Sequence, residues 1–160
     1  MAGMWGLFRV DQRAIETSVF TYCPQFRFGR FSKQMPDPPQ ETRVVVLGAS
    51  NSPDRFSHKA VIQLVQTGYQ TIPVNPNASE VAGVPCLSSI EDVDEAPDTV
   101  TIYLSAGRSS PLGNDLAALR PRRVIFNPGA ENPELKHQLQ NHGIECIEAC
   151  TLVMLNTETF

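Results

Sequence analysis

The segment Arg43-Val-Val-Val-Leu-Gly48 constrains this chain most. It is a short continuous apolar run closed by glycine, the pattern of a strand buried on both faces of a parallel sheet. A polar turn follows, Ala49-Ser-Asn-Ser-Pro-Asp54. A helix is then predicted from a Ser57 cap to about Thr67. Ala60, Val61, Leu64 and Val65 recur at helical spacing as its buried stripe, and Gly68 is the expected stop. Gln70-Thr-Ile-Pro-Val74 reads as a second strand. Its Pro73 removes a ladder donor, so that position needs an edge or a bulge.

The alternation continues to the end of the chain. Residues 75–89 read as a loop with a short strand around Val84, and Ser88 or Ser89 caps a brief helix through Val93. Strands are expected over 98–104, 123–126 and 144–147, with helices over 111–119 and from Pro133 to about His142, the latter capped by Asn132. Strands alternating with helices predict an α/β fold: a single Rossmann-like, doubly wound, mostly parallel sheet flanked by helices, spanning 41–160.

Residues 1–40 stand outside this pattern. Met1 to Lys33 mixes Phe, Arg and Gly without a sustained period, and Met35-Pro-Asp-Pro-Pro-Gln40 is a Pro-rich linker. Three readings compete: a disordered extension, sequence translated from a start upstream of a true one at Met35, or an Arg-rich, acid-poor transit peptide.

Charge narrows the function. The total is −4, yet the first 34 residues hold five basic residues against two acidic ones, so the remainder carries −7. An acidic body argues against nonspecific binding to nucleic acid or anionic membranes, which need a positive field. No stretch approaches the roughly 18 apolar residues of a membrane span. A chain of 160 residues can build an ordinary core without disulfides or metal. Cys23, Cys86, Cys146 and Cys150 form no C-x-x-C pair, so they read as reduced thiols of a cytoplasmic protein. His137, His142 and Cys146 lack the closed four-ligand set of structural zinc.

The candidate site is Gly48-Ala49-Ser50, between the first strand and the first helix. In a doubly wound sheet, ligands sit beyond the carboxyl ends of the strands, where strand order reverses. Gly48 and Ala49 allow close backbone approach. Ser50 and Asn51 add short polar groups, the turn's amides can line an anion site, and the helix N-terminus adds partial positive charge. Arg55 and Lys59 are candidates for further charge near a phosphate, with a solvated helix face as the competing reading. His58 reads as an exposed helical histidine. The dinucleotide fingerprint would need glycines at Ser50 and Pro53 and an acid where Asn75 stands, and no Walker loop is present.

The ordered combination Val46-Leu-Gly-Ala-Ser50, Pro53 with Ser57 and Lys59, Gly68-Tyr69, Pro73-Val-Asn-Pro76, Glu80, Gly83 and Leu87-Ser-Ser-Ile90 resembles the small CoA-binding domain family. That family in turn resembles the nucleotide-binding domain of the succinyl-CoA synthetase alpha subunit. The resemblance covers roughly residues 42–148. It implies a coenzyme A site in which the 48–50 turn holds phosphate, Lys59 or Arg55 adds charge, and Asn75 meets the adenosine part. The strand ends after Leu104 and Phe126, with Ser105, Asn127 and Gly129, would form the far wall. The chain departs from the family there, with Ser105-Ala-Gly-Arg108 in place of an Arg-Pro-like segment and Asn127-Pro-Gly-Ala130 where Gln and Gly are common. Cys150 sits where family members often carry a cysteine and is a candidate for exchange with the CoA thiol.

No catalytic set is legible, and the G-x-S-x-G elbow is absent. The acids around 92–98 read as a solvated face. Three functions follow. The first is a non-catalytic protein binding CoA or acyl-CoA as carrier, sensor or regulator. The second is an NAD(P)-binding oxidoreductase-like domain. The third is a CoA-thioester enzyme subunit completed by a larger partner. A homo-oligomer fits any of them.

Overall fold

The computed structural model describes residues 42–160, so the expectations for residues 1–40 lie outside it. Strand β1 (Arg43–Leu47) leads through the glycine turn into helix α1 (Phe56–Gln66), and β2 (Gln70–Val74) follows. Two two-residue strands, β3 (Glu80–Val81) and β4 (Val84–Pro85), pair as a small antiparallel hairpin. A 3₁₀ turn (Ile90–Asp92) precedes β5 (Thr99–Ile102), α2 (Ala106–Ser109) and a second 3₁₀ turn (Ser110–Leu112). Then come α3 (Gly113–Leu119), β6 (Arg123–Phe126), α4 (Pro133–Asn141), β7 (Glu145–Glu148) and α5 (Thr151–Asn156).

The main sheet has five strands in the order β2-β1-β5-β6-β7, every neighbouring pair parallel. Along each strand the side chains alternate between faces. Val45, Leu47, Val100, Ile102, Val124 and Phe126 point to one face, where Leu116 of α3 and Leu135 and Leu139 of α4 cover them. Val44 and Val46 point to the other, under Val61 and Leu64 of α1 and Leu155 of α5. Both faces are therefore closed, which explains why β1 reads as an unbroken apolar run. Each large side chain buried this way contributes roughly 1.5–3 kcal/mol.

Pro73 is tolerated because β2 is the edge strand, and its carbonyl accepts from the Leu87 amide at 2.9 Å. At the opposite edge, β7 exposes Glu145 and Glu148, charges that discourage pairing with another chain.

Several local expectations needed correction. Helix α1 is entered two residues early: Arg55 is its N-cap, and Ser57 lies inside the first turn with no capping bond. Val65 is 46% exposed, because the buried arc closes with Ala60, Val61 and Leu64. Of the two candidate caps for the 3₁₀ turn, Ser89 is the one used, and its own amide donates to Asp92 Oδ2 at 3.0 Å. Strand β5 ends at Ile102, and β7 begins after Ile144, whose amide is taken by the Leu139 carbonyl at 3.2 Å. Helices α2 and α5 were not foreseen. With four and six residues they are too short to establish a helical period.

Candidate functional site

A two-lobed cleft opens beyond the carboxyl ends of β1 and β5, where the strand order reverses. The lobes share Gly48, Asn75, Leu104 and Arg108. The small lobe, about 200 Å³, closes on the β1–α1 turn through Ser50, Arg55, Ser57 and Tyr103. The larger lobe, about 560 Å³, runs beneath the loop after β2 and has apolar walls from Val74, Pro76, Ile90, Pro111 and Leu112. No Asp, Glu or His lines either lobe.

The glycine of the turn answers a demand from the fold before any from a ligand. Gly48 has φ +85°, and a Cβ there would fall 2.7 Å from Leu104 Cδ2 and 3.3 Å from the Tyr103 carbonyl carbon. The amides of Gly48 and Ala49 both donate to the Val74 carbonyl, at 3.0 and 3.3 Å. These two amides were expected to face an anion, and the parallel pairing of β1 with β2 has taken them instead. Asn75 completes the tie. Its Nδ2 donates to the Ala49 carbonyl at 2.5 Å, and its Oδ1 accepts from the Asn77 amide at 2.8 Å. From the helix side, His58 Nδ1 donates to the Ser50 carbonyl at 2.9 Å, which fixes the proton on that nitrogen.

Other donors lie further along the turn, among them the Ser50 amide, which has no acceptor among the described residues. Among the described residues, the amides of Phe56 and Ser57 have no acceptor, and the Ser57 hydroxyl has no partner although the residue is only 5% exposed. They sit at the positive end of the 11-residue helix α1. Arg55 and Arg108 bring two guanidinium groups, and among the described residues neither enters an ion pair. The small lobe therefore offers hydrogen-bond donors and positive charge with no carboxylate to compete.

Tyr103 closes the lobe on the α5 side. Its hydroxyl is buried and lacks a hydrogen-bond partner among the described residues. Burial pushes the phenol up to about 12, and the nearby hydroxyls of Thr151 and Thr101, not aligned for a formed hydrogen bond, offset this only in part. Those two threonines bond each other at 2.7 Å. Tyr103 is thus a neutral phenol at neutral pH.

Of the residues proposed from sequence, Gly48, Ala49, Ser50, Arg55 and Asn75 come together in the cleft. Asn51 and Lys59 are exposed outside its lining, and Lys59 Nζ lies 5.6 Å over the Phe56 ring. Ser105 is the exposed N-cap of α2, its carbonyl accepting from the Arg108 and Ser109 amides. Gly129 is exposed and donates its amide to Glu131 Oε2 at 2.8 Å. Asn127 is 2% exposed and fully engaged within the fold. Its Nδ2 donates to Thr101 Oγ1 at 2.6 Å and the Ile102 carbonyl at 3.1 Å, and its Oδ1 accepts the Thr151 amide at 2.9 Å. Cys150 is the N-cap of α5 and is not part of the cleft lining.

Sequence reasoning missed Arg108 and Tyr103 as lining residues, placed the far wall after Leu104 rather than at it, and gave Ser57 no role in the site beyond a cap and a place in the family pattern. The signal for Arg108 was a basic residue just past the end of the strand beside the switch point. Among the described residues, no cluster of His, Cys, Asp or Glu is placed to hold a metal ion, and no helix is long and apolar enough to cross a membrane.

Comparison with known proteins bears on this geometry. The family model for the CoA binding domain matches residues 42–156. The uncharacterized protein YneT of Bacillus subtilis (strain 168) is 39% identical over 61 residues, which are 38% of this chain. The match spans 45% of YneT, less than half of that protein's length. A crystal structure of an uncharacterized protein superposes with a TM-score of 0.71 at 39% identity, covering 74% of this chain and 98% of the other. Cell-free ID.343 from Thermus thermophilus superposes with a TM-score of 0.68 at 28% identity, covering 74% and 90%.

Proposed function

The chain belongs to the CoA-binding domain family, and on that premise we propose that its cleft holds coenzyme A or an acyl-CoA without transforming it. One observation carries the reading: a cleft with two unpaired arginines and no carboxylate, in a chain whose net charge is −4. Two cations in a concavity free of acids, within an acidic protein, create a local field for an anion. In this reading the phosphates meet Arg55, Arg108, Ser50 and the open first turn of α1. The adenosine end lies in the larger lobe beside Asn75, against Ile90 and Leu112. Gly48 and Ala49 shape the turn.

A binding role fits the chemistry of the lining. It holds no carboxylate or imidazole to move a proton, and its one phenol titrates near 12. Carriage, sensing or regulation of CoA in the cytoplasm is the function we assign. The unpaired thiols of Cys86, Cys146 and Cys150 suit a reducing compartment.

Isothermal titration with CoA, acetyl-CoA, NAD and NADP tests the proposal. Saturable binding of CoA or acetyl-CoA, with NAD and NADP at least tenfold weaker, is the expected result. Tighter binding of either nicotinamide nucleotide, or no binding of any of the four, overturns it. Native mass spectrometry of protein from its own host should show an adduct of CoA or acyl-CoA mass.

A further inference from the structure

The two lobes meet at a junction of four residues, and three of them carry no charge. The Gly48 amide is taken by the Val74 carbonyl. Asn75 gives one of its two side-chain N–H groups to the Ala49 carbonyl, and its oxygen accepts from the Asn77 amide, so it keeps one neutral donor. Leu104 is apolar and lies against Gly48. Arg108 remains. It is exposed on α2, lines both lobes, and its guanidinium has no ion pair or hydrogen bond among the described residues.

We infer that Arg108 is a specificity-determining residue, selecting ligands that carry an anionic linkage between their two ends, such as a pyrophosphate, over ligands charged at one end only. This deepens the proposed function and rests on its reading of the cleft as a ligand site. A ligand that fills both lobes must pass the junction, where the only charged group is a cation. A neutral linker forms no ion pair there, whereas a pyrophosphate can accept two parallel bonds from the planar guanidinium fork. Arg55 lines the small lobe alone, so the two cations read different parts of the ligand.

The test compares wild type with Arg108→Gln, Arg108→Lys and Arg55→Gln, each checked for an unchanged melting temperature. Affinities are measured by titration calorimetry for CoA, which has an internal pyrophosphate, and for AMP, which has a single terminal phosphate. Inorganic pyrophosphate is followed by phosphorus NMR line broadening. Arg108→Gln should weaken CoA by about 10- to 100-fold and leave AMP within about threefold of wild type. Arg108→Lys should fall between, since it keeps the charge and loses the fork. The pyrophosphate broadening should disappear in Arg108→Gln.

Equal affinity of wild type and Arg108→Gln for CoA overturns the Arg108 assignment and leaves the coenzyme proposal standing. Equal weakening of CoA and AMP also overturns it. Arg108-dependent pyrophosphate binding without CoA binding overturns the coenzyme and keeps the arginine. If wild type binds neither CoA nor pyrophosphate, both fall.

Discussion

The side-chain amide of Asn75 donates to the carbonyl of Ala49 across 2.5 Å, joining the loop after β2 to the turn after β1. The same residue organises its own loop through the Asn77 amide, and its backbone amide donates to the Leu87 carbonyl at 2.9 Å. One side chain thus sets the distance between two walls of the cleft. An aspartate, which the dinucleotide fold would place there, cannot make the first of these bonds, because it has no N–H to offer.

Asn75→Ala should lower stability by about 1–2 kcal/mol and weaken CoA binding, because the bond to Ala49 and the Asn77 turn are both lost. Asn75→Asp should weaken binding further, since it turns a carboxylate toward the Ala49 carbonyl and the ligand. Urea denaturation and titration calorimetry measure the two effects. Wild-type behaviour of both variants would show that the loops hold their spacing without this residue.

Gly48→Ala should cost about 2–4 kcal/mol, combining the strain of a side chain at φ +85° with the 2.7 Å approach to Leu104. Adding Leu104→Ala removes the side-chain clash but leaves the backbone strain and the 3.3 Å approach to Tyr103. A double-mutant cycle in urea should therefore show a favourable coupling of at least about 0.5 kcal/mol with incomplete recovery. Strict additivity would mean that the turn opens away from Leu104.

Asn127→Ala should destabilise the fold by about 2–4 kcal/mol, because the Thr151 amide and the Thr101 hydroxyl lose a buried partner together. Well below the melting transition, CoA affinity should stay within about twofold of wild type. A large loss of affinity with unchanged stability would instead return Asn127 to the ligand's wall.

Acid sensitivity should centre on Asp98. Burial acts to raise its pKa, but the hydrogen bonds from Arg122 and Thr99 and the charges of Arg122 and Arg123 outweigh it and hold the carboxyl below its usual range. A carboxylate whose folded pKa is depressed stabilises the fold above the unfolded value, about 3.9, and that contribution is lost as pH falls through the folded value. Melting temperature should drop below about pH 4, and Asp98→Asn should flatten that limb while lowering stability at neutral pH. An unchanged acid limb in the variant would place the sensitive group elsewhere.

The parts legible in the chain were those written in local patterns. The apolar run at Val44–Leu47 announced a strand covered on both faces, and Asn132 before Pro133 announced a helix start, which the bond from the Leu135 amide to Asn132 Oδ1 at 3.1 Å completes. Helix α2 left no such mark, since Ala-Gly-Arg-Ser is short and mixed, and with it Arg108 escaped notice as a wall of the site.

From the sequence alone came the alternation of strands and helices, the glycine turn after β1, the asparagine where an acid would be needed for a nicotinamide nucleotide, and the family. Those depend on residue types and their spacing over a few turns of chain. The tertiary structure alone decided which groups were free to meet a ligand. Parallel register set Gly48 and Ala49 against Val74 and brought Leu104 and Arg108 to the same junction. Hydrogen-bond donors can be used once, and which of them a fold consumes depends on strands paired from distant parts of the chain.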